Sequence, residues 1–159
     1  MISAERARKL LNYAPETGQL TWRVRRGPRY AAGSLAGCRD PRGYVKVRLD
    51  NRLYHAHRIV WLMTYGKLPG FIDHINLDKG DNRLSNLRPC SQRENNRNVG
   101  RSVNNTSGFK GVSRKRDKWR ARIADISLGS FSTPEAAAAA YDAEARKVYG
   151  EFAWLNLGQ

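Results

Sequence analysis

Phe71-Ile72-Asp73-His74-Ile75, Leu84-Ser85-Asn86-Leu87-Arg88 and Ser91-Gln92-Arg93-Glu94-Asn95-Asn96-Arg97-Asn98 make up the stretch on which the fold turns. The first run is short and apolar and closes on an acid and an imidazole, as a strand reaching a polar edge does. Asn76 to Asn82, rich in Asp, Gly and Asn, is a loop. The second run reads as a returning strand. Ser91 and Glu94 have the capping-box spacing, in which the serine oxygen accepts the Glu94 amide and the Glu94 side chain returns to the Ser91 amide. A helix is therefore predicted to begin at Ser91.

Strand, loop, strand and helix bring a carboxylate, an imidazole and several amides into one short segment. Carboxylate and amide oxygens are hard donors that suit magnesium, which keeps several waters and takes few protein ligands. An imidazole beside them can take a proton from water near neutral pH. The set suits hydrolysis of a phosphodiester. A bare Asp-His pair proves little, because strand ends and turns use the same residues. Asn96 and Asn98 compete with Asn95 for any role on the helix. Neighbouring helix positions differ by about 100° in direction, so Asn95 and Asn96 cannot do the same job, whereas Asn98 shares a face with Asn95.

Towards the N-terminus, Ser3 and the run from Ala4 to Leu11 read as a short capped helix, and Pro15 to Gly18 as the turn after it. Leu20, Trp22 and Val24 alternate with polar residues as a strand, and a loose Arg/Gly/Pro stretch runs on to about Arg42. Tyr44 to Leu49 and Leu53-Tyr54 flank Asp50-Asn51 as a hairpin. His57 to Tyr65 is apolar at helical spacing, and Gly66 is its stop. His55 and His57 are expected to be structural.

Towards the C-terminus, Val99 to Ser107 has no periodicity and is rich in Gly, Ser and Asn, as connectors are. Phe109–Ser113, Lys118–Ala124 and Ile126–Phe131 read as three strands, and Thr133-Pro134-Glu135 as a capped helix start that runs through an alanine-rich face to Gly150. Lys110, Arg114, Lys115, Arg116, Lys118, Arg120 and Arg122 face one nearby acid, Asp117. Alternation within the strand puts Lys118, Arg120 and Arg122 on one face and turns Trp119 to the other. Cations in register repel unless an anion lies near.

The formal net charge of +15 points the same way, since each Lys or Arg that meets a phosphate releases counterions. Cys38 and Cys90 are the only cysteines, and no CxxC occurs, so neither a disulfide framework nor a cysteine-built zinc module is indicated. No signal-peptide pattern and no apolar run of about 18 residues is found, so a cytoplasmic, non-secreted, non-membrane protein is expected.

Tyr54-His55-Ala56-His57-Arg58-Ile59-Val60-Trp61, Ile72-Asp73-His74-Ile75, Asn82-Arg83-Leu84-Ser85-Asn86-Leu87-Arg88 and Glu94-Asn95-Asn96-Arg97-Asn98, with Leu11-Asn12-Tyr13 and Thr21-Trp22 ahead of them, resemble the HNH homing endonucleases of phages. The likeness covers nearly all of residues 1–98. It implies a ββα-metal site in an N-terminal HNH nuclease domain, with His74 as general base, Asp73 and Asn95 as ligands of one Mg2+ or Mn2+, and Asn86 orienting His74 and bracing the loop. Many relatives have histidine where this chain has Asn95.

Ser107-Gly108-Phe109-Lys110-Gly111-Val112-Ser113, Lys118-Trp119-Arg120-Ala121-Arg122-Ile123, Leu128-Gly129-Ser130-Phe131 and Tyr149-Gly150-Glu151-Phe152-Ala153 resemble the AP2 DNA-binding domain. That likeness implies a three-stranded antiparallel sheet reading double-stranded DNA, with a helix packed behind. The turn before its last strand is shortened here to Ala124-Asp125-Ile126-Ser127.

The expectation is therefore an α+β chain: nuclease domain 1–98, linker 99–107 and AP2-like domain 108–159. It would act as a monomer, without a small-molecule cofactor, as a metal-dependent endonuclease that nicks or cleaves DNA. The alternative is a catalytically inert DNA-binding regulator.

Overall fold

Ser3 accepts the Arg6 amide on its hydroxyl and so caps α1 (Ala4–Leu10), whose Ala7 and Leu10 are buried. Sequence reading carries this helix through Leu11, but the chain there turns extended. β1 (Leu11–Ala14) pairs antiparallel with β2 (Gln19–Trp22), Leu11 opposite Trp22. Of the chain, the computed structural model describes residues 2–158, in two units that divide between Ser91 and Gln92.

In the first unit a three-stranded antiparallel sheet follows: β3 (Cys38–Arg39), β4 (Val45–Leu49) and β5 (Arg52–His55). Asp50 and Asn51 form its tip with φ of 43° and 61°. A two-residue turn with both φ positive matches strand twist, and Asn and Asp tolerate it. α2 (Ala56–Tyr65) ends at Gly66, in the left-handed region at φ 74°. Its Ala56, Ile59 and Val60 meet Leu11, Trp22, Val47 and Leu49 in one core.

β6 (Phe71–His74) then pairs antiparallel with β7 (Leu87–Cys90), Asp73 opposite Arg88 and His74 opposite Leu87. The expected second strand thus starts at Leu87, because Leu84–Asn86 close into one 3-10 turn. The β1–β2 turn lies against the loop between them. Gly18 has φ 72°, and a Cβ there would stand 2.5 Å from the Arg83 amide nitrogen, so glycine alone fits. The Tyr13 hydroxyl bridges the same loop, donating to the Asn82 carbonyl and accepting the Leu84 amide, each at 3.1 Å.

The second unit holds α3 (Gln92–Arg97), the antiparallel sheet of β8 (Val112–Lys115), β9 (Lys118–Ile123) and β10 (Ile126–Phe131), α4 (Pro134–Tyr149) and a 3-10 turn over Gly150–Phe152. α4 is capped by Thr133, which accepts the Ala136 amide, and Ala137 and Ala138 pack on Val112 and Ala121 of the sheet. Alanine keeps that contact close without side-chain entropy cost.

The division falls ahead of α3, earlier than the Gly/Ser/Asn stretch suggests. The Lys110 ammonium donates to the carbonyls of Arg97 and Val99, and the Arg97 guanidinium lies 4.9 Å from the Tyr149 ring centroid. Within the supposed connector, Asn105 donates to the Phe109 carbonyl and Ser107 to that of Val112. These bonds tie residues of loop composition into the unit. No helix among the described residues is long and apolar enough to cross a membrane.

Candidate functional site

β6 delivers Asp73 and His74 buried, each 5% exposed. Across the hairpin Arg88 reaches back to Asp73, its Nε and Nη2 donating to Oδ2 at 2.9 and 2.7 Å. Two buried charges are tolerable only as such a bonded pair, because removing either partner leaves the other's desolvation uncompensated.

His74 lies beside Asn82, with Nε2 and Oδ1 3.4 Å apart. The Asn82 amide is set by its other end, where Nδ2 donates to the Gly80 carbonyl at 3.0 Å, so Oδ1 is the atom turned to the ring. Burial pushes the His74 imidazole below its ordinary pKa, and the contact with Asn82 and the carboxylates of Asp73, Asp78 and Asp81 oppose that shift. The ring is therefore neutral near pH 7, as a proton acceptor must be.

Asn86 holds the loop. Its Oδ1 accepts the Asn76 amide and its Nδ2 donates to the Asp81 carbonyl, both at 2.9 Å, while its own carbonyl accepts the Ile75 amide. Asp81 is bound by Arg83 at 2.6 Å, which lowers its carboxyl to about 2. Asn86 is bonded within the loop, and the side chain against His74 is that of Asn82.

A wall of rings completes the surroundings. His57 meets His74 edge-on with centroids 4.9 Å apart, His55 stacks on His57 at 5.3 Å, and Tyr44 lies within 6.1 Å of all three imidazoles. Burial drives His57 down to about 3, with the neighbouring imidazoles adding to the effect. Sequence reading assigned Asp73, His74 and Asn86 and missed Asn82, Arg88 and Tyr44. Asn82 and Asn86 differ in nothing but position, and Arg88 is an ordinary strand cation until the register puts it opposite Asp73.

Asp73, His74 and Asn86 belong to the first unit, whereas Asn95 sits on α3 of the second, half-buried. Its competitor Asn96 is exposed and accepts Gln92 Nε2, and Asn98 is buried at 3% exposure. No cluster of three or more His, Cys, Asp or Glu placed to hold a metal occurs among the described residues.

On the second unit's sheet, register puts Lys115 opposite Lys118, Ser113 and Ser130 on either side of Arg120, and Ser127 opposite Arg122. Directly paired residues share a face, so four cations and three serines stand together. Arg122 is partly engaged by Asp125 at 3.2 Å, and Arg120 has a buried Nε without a partner. Trp119 turns the other way into the core, with the Arg114 guanidinium 5.9 Å from its ring centroid. Arg116 forms the β8–β9 turn at φ 57°. Lys110 is the exception among the expected DNA contacts, since its ammonium is spent on the carbonyls of Arg97 and Val99 around the end of α3.

Residues 54–97 match the HNH endonuclease family, in the middle of the chain rather than from its beginning. The chain is 37% identical over 71 residues to Protein 3.8 of Escherichia phage T7, covering 42% of this chain and 59% of that protein. It is 32% identical over 105 residues to Uncharacterized HNH endonuclease L560 of Acanthamoeba polyphaga mimivirus, covering 63% of this chain and 56% of that protein. The chain thus spans less than two thirds of either relative's length. No solved structure matches it significantly. The HNH match and the mimivirus relative support a nuclease.

Proposed function

We infer that the chain is a metal-dependent endonuclease that hydrolyses phosphodiester bonds of double-stranded DNA. The observation that carries this reading is the buried His74, next to Asp73 and beside Asn82, inside the segment that matches HNH endonucleases. His74 accepts the proton of the attacking water as the water oxygen bonds to phosphorus and the 3′ oxygen departs. Asn82 meets the ring on its Nε2 side. Asn86 keeps the loop that carries Asn82 in place.

Asp73 and, by the family resemblance, Asn95 are the residues that would hold one Mg2+ or Mn2+. Their oxygen donors suit a hard divalent cation, which supplies charge neutralisation at the phosphate and the leaving oxygen. The basic face of Lys115, Lys118, Arg120 and Arg122 is the part that holds duplex DNA, in the manner of the AP2-like sheets it resembles.

One observation favours the second reading, a catalytically inert DNA-binding regulator: Arg88 already neutralises Asp73. Supercoiled plasmid with Mg2+ separates the two. The endonuclease converts it to open-circular or linear DNA, EDTA stops the conversion and His74→Ala lacks it. A wild type that binds plasmid without converting it, or a His74→Ala variant that cuts as well, overturns the enzymatic reading.

A further inference from the structure

From Thr17 to Arg39 the chain has no acidic residue, and from Leu10 to Val45 it has no lysine, yet Arg23, Arg25, Arg26 and Arg29 fall within seven positions. The structure makes a defined turn of them. Arg26 donates its amide to the Tyr30 carbonyl at 2.9 Å and Gly27 bridges Tyr30, with Gly27 at φ 142°, a value open to glycine. The base of the turn is anchored on buried Trp22, whose ring lies 5.3 Å from the Arg26 guanidinium carbon and 6.1 Å from the Tyr30 ring.

All four arginines are exposed, and none forms an ion pair. Elsewhere in the same unit every aspartate already has a partner. Asp40, Asp50, Asp73, Asp78 and Asp81 each hold a cation within 3.4 Å, and Asp50, which feels Arg26, is bound by Arg6 at 2.9 Å. Four like charges within seven positions repel one another, with Arg23 also donating to the Arg8 carbonyl at 3.3 Å, and physiological salt screens such repulsion only beyond a Debye length of about 8 Å. An external anion removes that cost. The exclusive use of arginine selects its kind, because the planar guanidinium grips phosphate oxygens two at a time.

We propose that this arginine turn is a second DNA-binding element, which seats the sugar-phosphate backbone of the duplex on the first unit independently of the basic sheet of the second. The proposal rests on the endonuclease reading for its partner. It makes that unit a reader of backbone position, through Arg25 and Arg29 at the tip and Arg23 and Arg26 at the base.

The test is the salt dependence of binding to a short duplex in EDTA, by fluorescence anisotropy over a range of KCl. Each phosphate contact contributes about 0.9 to the slope of log K against log salt, so Arg25→Gln/Arg29→Gln lowers the slope by about two and weakens binding roughly tenfold near physiological salt. Arg48→Gln/Arg52→Gln, the same change in net charge elsewhere on the unit, leaves the slope within about 0.5 of wild type. Thermal midpoints confirm that both variants are folded. An unchanged slope in the turn variant, or an equal fall in both, overturns the proposal while wild-type plasmid cutting leaves the endonuclease reading standing. A wild type with no salt-dependent duplex binding overturns both.

Discussion

The β6–β7 hairpin of the first unit and the sheet of the second are both rich in charge, and they use it in opposite ways. Around the hairpin the charges are paired within the protein: Asp73 on Arg88, Asp81 on Arg83 and Asp78 on Arg39, all within 3.4 Å. On the sheet, Lys115, Lys118 and Arg120 stand among serines with no carboxylate in register. Paired charge fixes geometry, as chemistry at one atom demands. Unpaired charge is held ready for an anion that the protein does not supply. Net charge alone would have treated the two regions as one basic surface.

The comparison breaks first at His74. His74→Ala lowers plasmid conversion by about two to four orders of magnitude, the usual worth of a general base, while duplex affinity in EDTA stays within about twofold. Loss of binding together with cutting would mean that the hairpin also holds the DNA. Next in size is the buried pair. Asp73→Ala takes away the carboxylate of Arg88 and costs about 3–5 kcal/mol of stability, read from denaturant unfolding, and the double variant Asp73→Leu/Arg88→Met recovers most of it. A single variant of wild-type stability would show that the pair is solvated in solution.

The ring wall sharpens the contrast through pH. His57 is held neutral in the folded state down to about pH 3, while its unfolded counterpart takes up a proton near pH 6.5. The unfolded chain then binds more protons, so stability is full above about pH 6.5 and falls as pH drops below it, by about 2 kcal/mol at pH 5 from this residue alone. His55 and His74, both lowered by burial, act in the same direction. His57→Gln flattens the profile of Tm against pH. The smallest effect belongs to the open face. Lys118→Gln/Arg120→Gln reduces the salt slope of duplex binding by about two and leaves Tm within about 2 °C, since no folded-state carboxylate is lost.

Much of this was legible in the sequence where the signal is local. The period from His57 to Tyr65 and the stop at Gly66 match α2, and Thr133-Pro134 marks the start of α4. The alternation of Lys118, Arg120 and Arg122 with Trp119 and Ala121 is borne out by the register of β8, β9 and β10. What stayed hidden depends on partners far along the chain. Leu11–Ala14 continues an apolar run that suits a helix and becomes a strand only because β2 returns beside it. Asn82 is one of several asparagines until the loop turns its amide to His74, and the grouping of α3 with the later residues rests on Lys110, thirteen positions beyond Arg97. Asp73, His74 and Asn86 could be singled out together because one short stretch holds them.

The close seat of Gly18 on Asn82 and Arg83, with the Tyr13 hydroxyl bridging the next two peptides, limits how portable the proposed catalytic segment is. Transplanting residues 54–97 into another scaffold would leave behind the leading hairpin that clamps the loop from outside. A graft that aims to move the activity has to carry residues 11–22 as well, and any replacement at position 18 would pry the loop open before the chemistry began.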